Sequence, residues 1–391
     1  MERDQASKFV NDLLRLLVSR GGSDLFLTAD FPPAIKIDGK VTRVSPTPLT
    51  GAHTIVLARA IMNDKQGTEF ESTKECNFAI SPSGIGRFRV NAFMQQGHVG
   101  MVLRVIPNKL PNLDDLKLPP VLKEVAMTKR GLVIMVGATG SGKSTTLAAM
   151  VDWRNEHAFD HILTIEDPVE FIFKNIQSVV NQREVGSDTA TMQVGLKNAL
   201  RQAPDVILIG EIRDRETMSA AIAYAQSGHL CLATLHANNS YQALHRILNF
   251  YPIEVRAAML GDLSSSLKAI MSQRLLRTES GSRIPAMEIM INTELIRELI
   301  EKGEFSEIRE AIEKSMSDGS QTFEKDIARL IAEGKVSKKE GIAYADSPTN
   351  LLWRLQNDFT HSQRAAAAQA EKEEDNGPSF TEITLDVDQD E

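Results

Sequence analysis

Cysteine is almost missing from this chain: Cys76 and Cys231 are the only two in 391 residues, and they stand far apart. That excludes a disulfide framework and a four-cysteine zinc module, and it suits a reducing compartment. Long apolar runs are missing too, and none approaches the ~20 residues that cross a bilayer, so no membrane insertion is expected. The opening Met1-Glu2-Arg3-Asp4-Gln5 lacks the basic-then-apolar layout of a secretory signal, and the expected location is the cytoplasm. A basic excess is also lacking. The formal charge is −8, and nine acidic residues against one lysine between Glu371 and Glu391 account for all of it. A neutral body with an acidic tail is a poor match for nucleic acid, which calls for a basic face. No direct nucleic-acid contact is therefore expected. What the chain does have is apolar content, 42%, enough for the cores of two or three domains.

One segment carries specific chemistry. Gly137-Ala138-Thr139-Gly140-Ser141-Gly142-Lys143-Ser144 fits the pattern G-x-x-x-x-G-K-[ST]. It follows the apolar run Leu132–Val136 and leads into a helix opened by Thr145. That strand–loop–helix context is what the motif requires. Glycines permit the positive φ that turns successive N–H groups toward phosphate oxygens, and the helix N-terminus adds partial positive charge there. Lys143 can reach β- and γ-phosphates, and the Ser144 hydroxyl is placed to ligate Mg²⁺. A nucleoside triphosphate is the implied ligand. No Asn/Thr-Lys-x-Asp guanine-reading motif occurs, so ATP is favoured over GTP.

Around this motif the chain divides. Residues 7–19 carry helical spacing, and Gly21-Gly22 ends that helix. Short alternating runs at 24–27, 34–37 and 41–44 read as strands, with Asp38-Gly39 as a hairpin turn. A helix near 53–62 and strands at 77–80, 86–93 and 98–106 complete a small α+β domain over residues 1–107. Residues 108–116 read as a linker. From 117 to 358, strand and helix alternate, which calls for a parallel sheet covered by helices; from about Glu254 to Leu355 the pattern reads as mainly amphipathic helix. The segment Arg364–Ala370 has helical composition, and 359–391 reads as a disordered acidic tail.

In a parallel sheet, ligands sit at the carboxyl ends of strands, and several strands here end in reactive groups. His161–Ile165 is followed by Glu166 and Asp167, Val206–Ile209 by Gly210 and Glu211, and Leu230–Leu235 by His236. Glu211 is the candidate to orient or deprotonate the attacking water, with Glu166 a second carboxylate for that water or for Mg²⁺. The alternative for Glu211 is an ion pair with Arg213 or Arg215. His236 is placed to bond the γ-phosphate, the alternative being a capping histidine. His229, at the start of the same strand, reads as structural by its position. The usual magnesium strand ends hydrophobic-Asp-Glu, whereas Gly210 stands at the Asp position, so Glu166 or Asp167 must support the metal. Arg87 and Arg89 share one strand face by alternation, and Arg104 lies on a nearby strand. They form either a solvated face or a phosphate clamp.

Four blocks together resemble the secretion/type IV pilus ATPase family: the phosphate loop; the Asp box Thr164-Ile165-Glu166-Asp167-Pro168-Val169-Glu170-Phe171; the metal strand Pro204–Asp214 with its Gly210-Glu211; and the His box from Gly228 and His229 to His236. The resemblance spans nearly all of residues 6–355. It implies a PAS-like N-terminal domain and a RecA-like P-loop ATPase domain with a helical C-terminal subdomain. It also implies an Asp box that supplies the metal-supporting acid, has Arg87, Arg89 and Arg104 reach the nucleotide as neighbouring domains close, and counts His229 among the nucleotide contacts. No four-cysteine module is present, as in the retraction (PilT/PilU-like) branch. Leu295–Ile300, Leu235–Asn239 and Gln321-Thr322-Phe323 are closer to its accessory PilU-like members. The implied assembly is a homohexamer, peripheral at the inner membrane. It would act with a PilT-like retraction ATPase on a membrane platform protein.

Overall fold

The computed structural model describes residues 3–37, 39–106 and 110–357. The expected break at residue 107, the segment Arg364–Ala370 and the tail 359–391 fall outside those residues. Two sheets organise the chain. The first is preceded by α1 (Arg3–Ser19), whose Ala6, Val10, Leu13, Leu14 and Leu17 form one buried face at the 3.6-residue spacing. β1 (Asp24–Leu27), β2 (Ala34–Ile37) and β3 (Lys40–Arg43) follow, and Ile37 pairs with Lys40; Asp38, of the expected hairpin turn, lies outside the described residues. α2 (Gly51–Ile61) and α3 (Asp64–Thr73) precede β4 (Glu75–Ile80), β5 (Arg87–Gln95) and β6 (His98–Ile106). The six strands run antiparallel in the order β3-β2-β1-β6-β5-β4.

The hydrophobic pattern does not show α3, because only Gly67 and Phe70 of it are buried. Its start is set by a reciprocal cap. The Asn63 side chain accepts from Gln66 N at 2.9 Å, and the Gln66 side chain accepts from Asn63 N at 2.9 Å.

The second half begins with α4 (Val121–Ala126), β7 (Gly131–Val136), α5 (Lys143–His157), β8 (His161–Glu166) and β9 (Val179–Glu184). It continues through α6 (Met192–Ala199), β10 (Val206–Ile209), α7 (Arg215–Gln226), β11 (Leu230–Leu235), α8 (Ser240–Asn249) and α9 (Ile253–Ser266). β12 (Leu267–Arg277) and β13 (Arg283–Ile291) then form an antiparallel pair. Four helices follow, α10 (Glu294–Lys302), α11 (Ile308–Glu313), α12 (Phe323–Ala332) and α13 (Lys338–Tyr344), with a last helical stretch over 348–357. The seven-stranded order is β13-β12-β7-β11-β10-β8-β9, parallel except at β12–β13.

Every residue of β7, β10 and β11 is buried, as expected for strands covered on both faces. Alternate residues of β7 enter two separate cores. Leu132, Ile134 and Val136 pack with residues of α7–α10, while Val133 and Met135 pack with α4 and α5. The helical reading of 254–355 is corrected by the β12–β13 pair. Seven of the eleven residues of β12 are buried, including the polar Ser272 and Gln273, so its sequence shows no polar–apolar alternation to mark a strand.

Candidate functional site

The parallel order places β11 beside β7, β10 beside β11, and β8 beside β10. Their ends lie in step, with Leu235 opposite Val136 and Ile209 opposite both Ala233 and Ile165. The residues that follow these strands therefore meet at one end of the sheet. They line a cavity of about 460 Å³ that includes Lys143, Ser144, Glu166, Asp167, Glu211 and His236.

The phosphate loop forms one wall. Gly140 and Gly142 adopt φ of +78° and +90°, values that L side chains rarely take. Lys143 is 8% exposed, and its ammonium donates to Gly137 O at 2.8 Å and Ala138 O at 2.9 Å. Burial lowers the Lys143 pKa, opposed by the carboxylates of Glu211 and Glu170. Polyphosphate oxygens would favour its charged form and draw it off the two carbonyls. The Ser141 hydroxyl is buried without a hydrogen-bond partner but is not among the cavity-lining residues, so the loop's fit to a phosphate rests on its glycine turns and on Lys143. A nucleotide thus fits the loop. Thr145, next in the chain, belongs to the first turn of α5 and is not among the cavity-lining residues.

The acids form the facing wall. Glu211 accepts from Arg213 Nε at 2.7 Å on Oε2, and His236 Nε2 lies 3.1 Å from Oε1. Both readings of Glu211 hold together: it pairs with Arg213 and faces the cavity. Arg213 also approaches Asp167 at 3.4 Å. The hydrogen bond to Glu211 raises the Arg213 pKa against the effect of burial. Glu166 accepts from Thr164 Oγ1 at 2.6 Å and from Gln182 Nε2 at 3.4 Å. Burial still raises its pKa, with those hydrogen bonds opposing.

Gly210 has a structural reason. A Cβ there would stand 3.1 Å from Glu166 Cα and 3.3 Å from Ile165 O. An aspartate at this position would press on the neighbouring strand, which itself ends in Glu166. Among the described residues no group of three or more His, Cys, Asp or Glu could hold a metal alone. The Ser144 hydroxyl with Glu166 and Asp167 offers hard oxygen donors of the type Mg²⁺ takes alongside substrate phosphates.

The arginines separate. Arg89 reaches the cavity from β5. Arg87, on the same face, is taken by Glu184 of β9 at 2.6 Å; that carboxylate also accepts from Val169 N at 3.1 Å. Arg87 therefore ties the two halves together and is not at the nucleotide cavity. Arg104 is opposite Arg89 in register, yet β6 also borders β1, and its Nε donates to Asp24 at 2.7 Å. Within this chain Arg104 pairs with Asp24 and is not among the cavity-lining residues. His229 is likewise not among the residues that line this cavity. It sits at the amino end of β11, its Nδ1 3.0 Å from Ser227 Oγ, at the opposite end of the strand from His236.

Several lining residues had not been singled out: Glu170, Gln193, Arg213, Asp214 and Thr234. Glu170 lies inside the Asp box, and Arg213 was visible only as a partner for Glu211. Gln193, on α6, carries no sequence signal. Thr234 donates to Gly210 O at 2.5 Å and so joins β11 to the turn before Glu211.

Residues 7–288 match the profile of the family described as type II/IV secretion system protein. The chain is 51% identical to the type IV pilus ATPase PilU of Pseudomonas aeruginosa, over 87% of this chain and 89% of that one. It is 42% identical to the pilus retraction ATPase PilT of the same organism, over 88% and 99%. The crystal structure of the pilus retraction motor PilT with bound ADP superposes with a TM-score of 0.82 at 36% identity, covering 87% of this chain and 98% of that one. The ATPase DotB of Legionella pneumophila superposes with a TM-score of 0.77 at 28% identity, covering 86% and 94%.

Proposed function

The chain belongs to the type II/IV secretion system protein family, and from that premise we propose that it is an ATP-hydrolysing motor of type IV pilus retraction. The observation that carries this reading is the convergence of Glu211, Glu166 and His236 on the cavity that holds Lys143. The likeness to a retraction motor with bound ADP supports it.

The residues divide the work of phosphoryl transfer to water. Loop N–H groups and Lys143 take up charge on the β- and γ-phosphates. Glu211 orients the attacking water and accepts its proton; Arg213 and His236 hold its two oxygens in place. Phosphate contacts at His236 would compete with its bond to Glu211, which links loss of the γ-phosphate to movement of the loop after β11. Ser144 with Glu166 and Asp167 would hold Mg²⁺, which would supply charge neutralisation on the phosphates. Arg89 adds a cation from the N-terminal half.

A homohexameric ring, cooperation with a PilT-like retraction ATPase, and work on a platform protein at the cytoplasmic side of the inner membrane belong to the same proposal. Among the described residues no helix is long and apolar enough to cross a membrane. The test is ATP turnover by purified protein, alone and mixed with a PilT-like partner. Lys143→Ala and Glu211→Ala should each lower turnover at least ~100-fold, with ADP binding kept in the second. Undiminished turnover in both variants would reject the site, and turnover seen only with the partner would make the chain an accessory ATPase.

A further inference from the structure

The phosphate loop rests on a residue 130 positions downstream, outside every motif in the sequence. Gln273 lies on β12, just past the point where Ser272 pairs with Val136 at the end of β7. It is 3% exposed. Both ends of its amide are used. Nε2 donates to Ser141 O at 2.8 Å, and Oε1 accepts from Thr146 Oγ1 at 2.7 Å. The first bond holds the crest of the loop and the second holds the first turn of α5. The same residue accounts for two of the glycines. A Cβ at Gly142 would stand 2.6 Å from Gln273 Nε2, and one at Gly137 would stand 2.7 Å from Gln273 O. Loop and glutamine are therefore packed without room for a methyl group between them.

We propose that Gln273 is a positioning residue for nucleotide binding. By holding the Ser141 carbonyl inward against the sheet, it keeps the opposite side of the loop, with its N–H groups, turned toward the polyphosphate. The proposal rests on the ATP reading above. A residue serving only the core would stabilise the fold without altering affinity.

Two variants and one titration separate these roles. Gln273→Met keeps length and removes both hydrogen bonds. Gln273→Glu keeps the acceptor for Thr146 but sets a carboxylate oxygen against Ser141 O. ADP affinity measured by calorimetry should fall about tenfold in each at pH 8, equivalent to about 1.4 kcal/mol, with a smaller change in kcat than in KM for ATP. Lowering the pH toward 5 should restore affinity in Gln273→Glu alone, because a protonated carboxyl again offers a donor to Ser141 O. Wild-type affinity over the same range is the reference. Wild-type ADP affinity in both variants, or an affinity loss in Gln273→Glu that ignores pH, would overturn the proposal. Failure of both variants to fold would assign Gln273 to the core and overturn it as well. If the wild type itself binds no ADP, the ATP reading fails rather than this one.

Discussion

Replacing Glu288 with leucine strips three donors of one shared acceptor. Glu288 lies on β13, is 5% exposed, and receives on Oε1 the Ser240 backbone N–H at 2.7 Å, Ser240 Oγ at 2.6 Å and Ser272 Oγ at 3.1 Å. Ser240 opens α8, where backbone N–H groups have no partner within the helix. An unsatisfied buried donor costs about 1–3 kcal/mol. The two hydroxyls can rotate toward other acceptors, so the backbone N–H dominates, and Glu288→Leu should lose about 2–4 kcal/mol.

Glu288→Gln keeps the acceptor. Burial raises the Glu288 pKa, opposed by the bonds from Ser240 and reinforced by Asp346, so the amide resembles the protonated acid. Its cost should stay below about 1 kcal/mol. The sign of the pH effect follows. With a folded-state pKa above the unfolded value of about 4.3, the folded chain binds the extra proton between the two values. Stability from this group is full below the unfolded pKa and is lost as pH rises through the folded pKa, by at most about 1.4 kcal/mol per pH unit. Glu166 contributes a slope of the same sign, so the difference between wild type and Glu288→Gln isolates Glu288. Urea denaturation midpoints at steps from pH 4.5 to 8 measure it. Parallel pH slopes in the two proteins, or a Glu288→Leu variant as stable as wild type, would refute the reasoning. Because Ser240 lies four residues beyond His236, turnover should fall in Glu288→Leu and persist in Glu288→Gln.

Four further outcomes are expected. Arg89→Ala should lower ATP turnover by about tenfold or more. Arg104→Ala should leave turnover per folded molecule unchanged and lower stability by about 1–3 kcal/mol through the unpaired Asp24; steady-state kinetics beside thermal melts distinguish them, and equal kinetic losses would refute the separation of the arginines. Gly210→Asp restores the usual magnesium-strand residue, yet kcat should fall because the new side chain presses on the Glu166 backbone; a gain in kcat would contradict that packing argument. Removing residues 371–391 should preserve folding and ATP turnover, since that acidic, apolar-poor segment has little to add to a core; collapse of either in the truncated protein would give the tail a role in the ATPase itself.

The site was legible wherever chemistry is local. The loop 137–144 announced itself because its glycines, lysine and serine act within eight consecutive positions, flanked by a strand and a helix. Glu166, Glu211 and His236 followed from a rule about strand ends, which needs the strands but not their order. The β12–β13 pair was not legible. A strand buried on both faces loses the alternation that distinguishes it from a buried helix. Helix α3 was hidden for the opposite reason, since a cap and not an apolar stripe defines it.

Covalent neighbours were enough to declare a phosphate-binding loop and acids after apolar strands, and with them a nucleotide-using protein. They could not say which arginine meets the cleft. Arg87, Arg89 and Arg104 carry the same charge on adjoining strands. β1 lies beside β6, so Asp24 takes Arg104; the packing of the two halves gives Arg87 to Glu184 and leaves Arg89 facing the cavity. Gln273 under the loop is the same case. Pairing across a sheet depends on strand order and domain packing, and neither is written in the spacing of residues along one strand.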